Sequence, residues 1–151
     1  MGFINSKVIN VLKFDEVCLV KVLFICTGNA CRSPLAEALL KKLRPEVDVD
    51  SAGTHAYYRV VDLTRRYAER EGAGEFLKVT PEDLGIKNLC DYDVIVAMEP
   101  RHREVVLRQS PEYADKVVVW HITDPYALPH KQAQQIFDKI KSKVVHLAKS
   151  L

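Results

Sequence analysis

Nine consecutive residues, Cys26-Thr27-Gly28-Asn29-Ala30-Cys31-Arg32-Ser33-Pro34, constrain this chain more than any other stretch. An apolar run, Val22-Leu23-Phe24-Ile25, precedes them and reads as a short buried strand. Leu35, Ala36, Leu39, Leu40 and Leu43 follow at helical spacing, and Pro34 suits the first position of that helix, where no N–H is needed. The segment is therefore a strand, a tight loop and a helix. A loop wound into a helix N-terminus turns its N–H groups inward and makes a nest for an oxyanion. Gly28 is expected to supply a backbone angle that a side chain would resist. Arg32 can grip two phosphate oxygens with its planar fork. Cys26, at the mouth of the nest, feels both the helix dipole and the guanidinium, and both favour the thiolate, which is the nucleophile. Such a site holds a tetrahedral dianion and attacks its phosphorus. No metal is expected, because Cys26 and Cys31 lack a second ligand pair.

The rest of the chain alternates strand and helix signals. Val47 to Ser51 is a second strand, Val94 to Met98 a third that is apolar throughout, and Lys116 to Trp120 a fourth. Leu63, Tyr67 and Glu71 share a helix face that Gly72 and Gly74 end, and Thr80-Pro81-Glu82-Asp83 reads as a helix start. Pro100 opens a helix to about Gln109, and Ala133, Ile136, Phe137, Ile140, Val144, Leu147 and Ala148 mark a long amphipathic C-terminal helix. The expected fold is α/β: a four-stranded parallel sheet between helices on both faces, with the phosphate loop between strand 1 and helix 1. In such a sheet Asp124, after the fourth strand, lies at the same carboxyl edge as Cys26, and Pro125 holds it extended in a loop. It is the candidate general acid. The loop aromatics Tyr57 and Tyr58 are candidates for a site wall, with His55 a surface residue.

The motif Cys26 to Pro34 resembles the signature loop of the low-molecular-weight protein tyrosine phosphatases. The resemblance runs on through Asp50-Ser51-Ala52-Gly53-Thr54, Asp91 to Met98 and Asp124-Pro125-Tyr126, and covers roughly residues 20 to 150. It implies a phosphoric monoester hydrolase with Cys26 as nucleophile, Arg32 as phosphate ligand and Asp124 as the proton donor of the Asp-Pro pair. It implies that Thr27, Gly28, Asn29, Ala30, Cys31 and Ser33 wrap the phosphate, that Asn29, Ser33 and Ser51 support the loop, and that Tyr126 faces the substrate ring. It also implies that Cys31 can form a reversible disulfide with Cys26 under oxidation, protecting the nucleophile. The implied substrate is a phosphorylated protein or peptide and the product inorganic phosphate, with no cofactor.

Composition adds exclusions. One domain is the default for 151 residues, and a net charge of +2 points to no nucleic-acid partner. Arg59, Arg65, Arg66 and Arg70 read as a solvated helix face. No apolar run approaches the ~20 residues that span a bilayer. Asp15 and Glu16 break any leader pattern, and four cysteines make no disulfide scaffold, so a cytoplasmic enzyme is expected. Residues 1 to 19 read as an apolar N-terminal extension of unassigned role ahead of the domain at 20 to 151, with Cys18 a buried hydrophobe and Cys90 structural. The sequence leaves the oligomeric state open.

Three departures from the resembling family stand out. Its members often carry a supporting His where this chain has Glu75-Phe76-Leu77-Lys78. Glu99 stands where Asp is usual, and Ala30 matches neither the bulkier aliphatic of tyrosine phosphatases nor the Thr of the phosphoarginine branch. The rival readings are an arginine phosphatase, a thiol-dependent arsenate reductase, a phosphate-binding module and a small-molecule phosphatase. The reductase needs two further thiols, and no Cys follows Cys90.

Overall fold

The computed structural model describes residues 19–151. Of the expected N-terminal extension, residues 1 to 18, with Cys18, lie outside the described residues. Strand β1, Lys21–Cys26, is flanked by β2, Asp48–Gly53, and β3, Val94–Ala97; β4, Val117–Val119, lies beyond β3. All pairings are parallel, in the order β2-β1-β3-β4. This is the expected four-stranded parallel sheet, although β2 runs two residues further than the alternation suggested and β4 is shorter. Register places Cys26 beside Gly53 and Phe24 beside both Ser51 and Val96.

Among the described residues four α-helices accompany the sheet: α1, Arg32–Leu43; α2, Asp62–Arg70; α3, Pro100–Gln109; and α4, His130–Ser150. Successive residues of a strand point to opposite faces, which is why β1 is apolar throughout. Val22 and Phe24 join Leu35, Leu39, Tyr67, Phe137, Ile140 and Val144 in one core. Leu23 and Ile25 join Ile95, Ala97, Leu89 and Val106 in the other. Val22 to Ile25 are fully buried, and each such side chain contributes about 1.5–3 kcal/mol. Phe24 also meets Trp120 with ring centroids 5.4 Å apart.

Two sequence expectations give way to tertiary bonds. Helix α1 begins at Arg32, so Pro34 sits inside the first turn, where its missing N–H still leaves no bond unmade. Residues 80–83 do not start an α-helix. The Gly53 N–H donates to the Glu82 carbonyl at 2.9 Å, the Glu82 N–H donates to Asn29 Oδ1 at 2.8 Å, and Gly53 bridges Asp83 in parallel. The segment is drawn out along the sheet and the loop. Asp83, rather than Thr80, then caps the short 3-10 turn Leu84–Ile86 by accepting from the Gly85 N–H at 3.0 Å.

Candidate active site

The loop between β1 and α1 is held from outside by its carbonyls. Those of Cys26, Thr27, Gly28 and Ala30 accept from the N–H groups of Thr54, His55, Tyr57 and Val61 at 2.8–3.0 Å. Among the described residues, the N–H groups of Thr27 to Cys31 make no such bond. Carbonyls turned out leave amides turned in, which is the arrangement that receives an oxyanion. The left-handed residue is Asn29, at φ 50°, and not Gly28 as expected. Asn tolerates this region better than most residues. Gly28 is needed for space instead: a Cβ there would stand 2.8 Å from the Tyr57 ring.

Beneath the loop the hydrogens are directional. Asn29 Nδ2 donates to Ser33 Oγ and to Ser51 Oγ, both at 2.8 Å. Ser51 gives its own hydrogen to Glu37 Oε1. Ser33 Oγ, already accepting from Asn29, lies 2.9 Å from Cys26 Sγ and has a hydrogen that it can donate to the sulfur. The chain of bonds ends at the sulfur and fixes its position at the head of the loop. Asn29, Ser33, Ser51 and Glu37 are all buried. Lys78 enters the same cluster, reaching the Ser51 carbonyl at 2.9 Å, Ser51 Oγ at 3.3 Å and Glu82 Oε1 at 2.8 Å. The stretch that lacks the resembling family's His thus still brings a cation to the loop support.

Arg32 is equally fixed. It is 2% exposed; Nη1 donates to the Ile122 carbonyl at 2.8 Å and to Glu99 Oε1, and Nη2 lies 3.8 Å from Asp124 Oδ2. Burial would raise the Glu99 carboxyl, but hydrogen bonds from Arg32 and Arg101 hold it below the usual range. Glu99 therefore serves as the anionic seat of the guanidinium. The Glu99 N–H donates to His102 Nδ1 at 3.1 Å, which leaves the other ring nitrogen protonated to donate to Thr27 Oγ1 at 2.8 Å. His102 is buried, and burial together with the nearby Arg32 charge depresses it to about 4. It stays neutral and holds the loop rather than moving protons.

The loop opens onto a cavity of about 260 Å3, which the buried Asn29 and Ser33 side chains support from beneath and do not line. Cys26, Thr27, Gly28, Ala30, Cys31 and Arg32 line its base, and Tyr57, Asp124 and Tyr126 stand at its wall. Asp124 is half-buried, its Oδ1 accepting from the Tyr126 N–H at 3.0 Å. The cavity does not include Tyr58, which is fully exposed. Cys31 is a free thiol that burial, and then the neighbouring Cys26, push up to about 12. It remains protonated and is no nucleophile. Cys90, read from the sequence as structural, is exposed.

Sequence reasoning passed over Glu37 and His102. Glu37 lies one helical turn beyond Ser33 and so under the same loop; His102 lies three residues beyond Glu99, the spacing of a capping pair.

Residues 21–151 match the family profile of the low molecular weight phosphotyrosine protein phosphatases. The chain is 31% identical to the low molecular weight protein-tyrosine-phosphatase Wzb of Salmonella typhi, over 80% of its own length and 83% of that protein. It is likewise 31% identical to Etp of Escherichia coli K12, over 85% and 86%. Among solved structures it resembles Vibrio vulnificus Wzb in complex with benzylphosphonate (TM-score 0.78, 27% identity, 88% of this chain and 99% of that one). It also resembles the YwlE arginine phosphatase from Geobacillus stearothermophilus (TM-score 0.75, 26% identity, 87% and 92%). The chain belongs to the low molecular weight phosphotyrosine protein phosphatase family. The expectation of a phosphoric monoester hydrolase agrees with that membership. Among the described residues, no helix is long and apolar enough to cross a membrane.

Proposed function

We propose that this chain hydrolyses phosphotyrosine in proteins or peptides through a cysteinyl-phosphate. The observation that carries the reading is the convergence of Cys26, the inward amides, the Arg32 fork and Asp124 on one cavity with an aromatic rim. In the first step the Cys26 thiolate attacks phosphorus, forming the P–S bond as the ester P–O bond breaks. Asp124 gives its proton to the departing phenolic oxygen. In the second, Asp124 takes a proton from water, whose oxygen attacks phosphorus and breaks the P–S bond. Inorganic phosphate leaves and the thiolate returns. Arg32 and the loop amides stabilise the equatorial oxygens in both steps.

The rim supports an aryl substrate over an arginine one. Tyr57 and Tyr126 bring aromatic side chains to the cavity, whereas Asp124 is the only carboxylate among the described residues lining it. A phosphoguanidine would call for a further acid to face its nitrogens. The test sets a phosphotyrosine peptide beside a phosphoarginine peptide, without metal and with reductant, using Cys26→Ser as control. Faster release from phosphotyrosine is expected. Preference for phosphoarginine overturns the substrate, and turnover retained by Cys26→Ser overturns the mechanism.

A further inference from the structure

A second cavity, of about 230 Å3, adjoins the first, and Leu63 and Phe137 line both. Its other walls carry Arg66, Arg70, His130 and Gln134, and no acidic side chain. Arg66 and Arg70 stand one turn apart on α2, where like charges repel and disfavour the helix. Among the described residues neither forms an ion pair, although Arg65 beside them approaches Asp62. Arg70 is held in place by neutral groups: Nη2 donates to Gln134 Oε1 at 2.9 Å, and its guanidinium carbon lies 5.7 Å from the Tyr67 ring centroid. The carboxylate of Asp138, one turn along α4, accepts from the Tyr67 hydroxyl at 2.7 Å and does not line the cavity. Two guanidiniums, one pre-positioned, thus face a cleft without a counter-charge.

We infer that this cleft is a second anion subsite, which receives an acidic group on the same polypeptide whose phosphorylated residue occupies the Cys26 cavity. The inference rests on the proposed reading that the substrate is a phosphorylated polypeptide. The shared wall of Leu63 and Phe137 makes the two cavities neighbours along one extended segment. Arginine forks pair bidentately with either carboxylate or phosphate. The acidic group is therefore a Glu or Asp side chain, or a second phosphorylated residue.

The experiment measures binding to Cys26→Ser and, separately, KM for the intact enzyme. It uses phosphotyrosine peptides carrying Gln, Glu, Lys or a second phosphotyrosine at one to three residues on either side. At one of these positions the acidic peptides are expected to bind about three- to tenfold more tightly than the Gln peptide, with the gap shrinking as salt rises. A gain confined to the doubly phosphorylated peptide identifies phosphate as the ligand; a gain shared with Glu identifies any anion. Arg66→Glu should abolish the gain and favour the Lys peptide, while turnover of para-nitrophenyl phosphate is unchanged. Equal binding of acidic and neutral peptides, or a preference that survives both Arg66→Glu and Arg70→Gln, overturns the subsite. Failure to turn over the small aryl phosphate would instead overturn the proposed reaction, and the binding arm would still read the subsite.

Discussion

At the base of the cavity Arg32 is 2% exposed and Asn29 and Ser33 are fully buried, whereas at the rim Tyr126 is 77% exposed. The base is a connected set of hydrogen bonds in which Asn29, Arg32 and Lys78 each reach more than one acceptor. The rim is aromatic surface on loops. A base so bonded holds its amides and Arg32 aimed before any phosphate arrives, so little reorganisation remains for the reaction. A rim so exposed can only bias which leaving group enters. Chemistry should therefore fail when the base is altered, and selectivity should drift when the rim is altered.

The largest effect is expected from the groups proposed to react. Cys26→Ser should lower kcat by about 10^5-fold or more while retaining phosphate affinity. Asp124→Ala should lower kcat about 10^2–10^4-fold, most for poor leaving groups. Equal losses across leaving groups, read from a series of substituted phenyl phosphates, would remove Asp124 from the proton-donor role.

Next comes the support of the base. Lys78→Met removes donors to Ser51 and Glu82 within a partly buried cluster, and should cost about 1–2 kcal/mol of stability in denaturant unfolding. Because Ser51 is bonded to Asn29, kcat/KM should fall about tenfold as well, equivalent to about 1.4 kcal/mol. Lost stability with intact kcat/KM would show that Lys78 holds the fold and not the loop.

The pH dependence of the base has a definite sign. His102 is depressed from its ordinary value of 6.5 to about 4 in the folded chain, so the unfolded chain binds more protons between these values. The stability due to neutral His102 is complete above about pH 6.5 and is lost as pH falls toward about 4, by up to about 3 kcal/mol. His102→Gln should flatten that part of the stability–pH curve; an unchanged slope would place the titration elsewhere. The smallest effect belongs to the rim. Tyr126→Ala removes one exposed ring and should raise KM for aryl phosphates about three- to tenfold with kcat nearly unchanged. A kcat loss of the Asp124→Ala size would erase the distinction between base and rim.

The strand–loop–helix signal, the strand–helix alternation behind the parallel sheet, and the gathering of Cys26, Arg32 and Asp124 at one cavity were legible because each signal is local. Periodicity, a fixed spacing and a Pro-restricted Asp are all written in neighbouring residues. The same locality misled at Thr80, where a good capping pattern was overridden by the bonds of Glu82 to Gly53 and Asn29. It misled at Gly28 too, whose role is room for the Tyr57 ring. Tyr57 and Tyr58 were alike in sequence; only the path of the loop turns the first to the cavity and the second to solvent.

What the amino-acid order indicated by itself is the proposed chemistry: a thiol at the end of β1, a guanidinium at the start of α1 and a carboxyl beyond β4. What the tertiary structure decided is how that chemistry is held. Glu99 seats Arg32, His102 ties Thr27, and Lys78 and Glu37 lie under Ser51, across separations that no periodicity records. The physical reason is that a buried charge or polar hydrogen must find a partner wherever the fold brings one, and that partner is chosen by proximity in space and not along the chain.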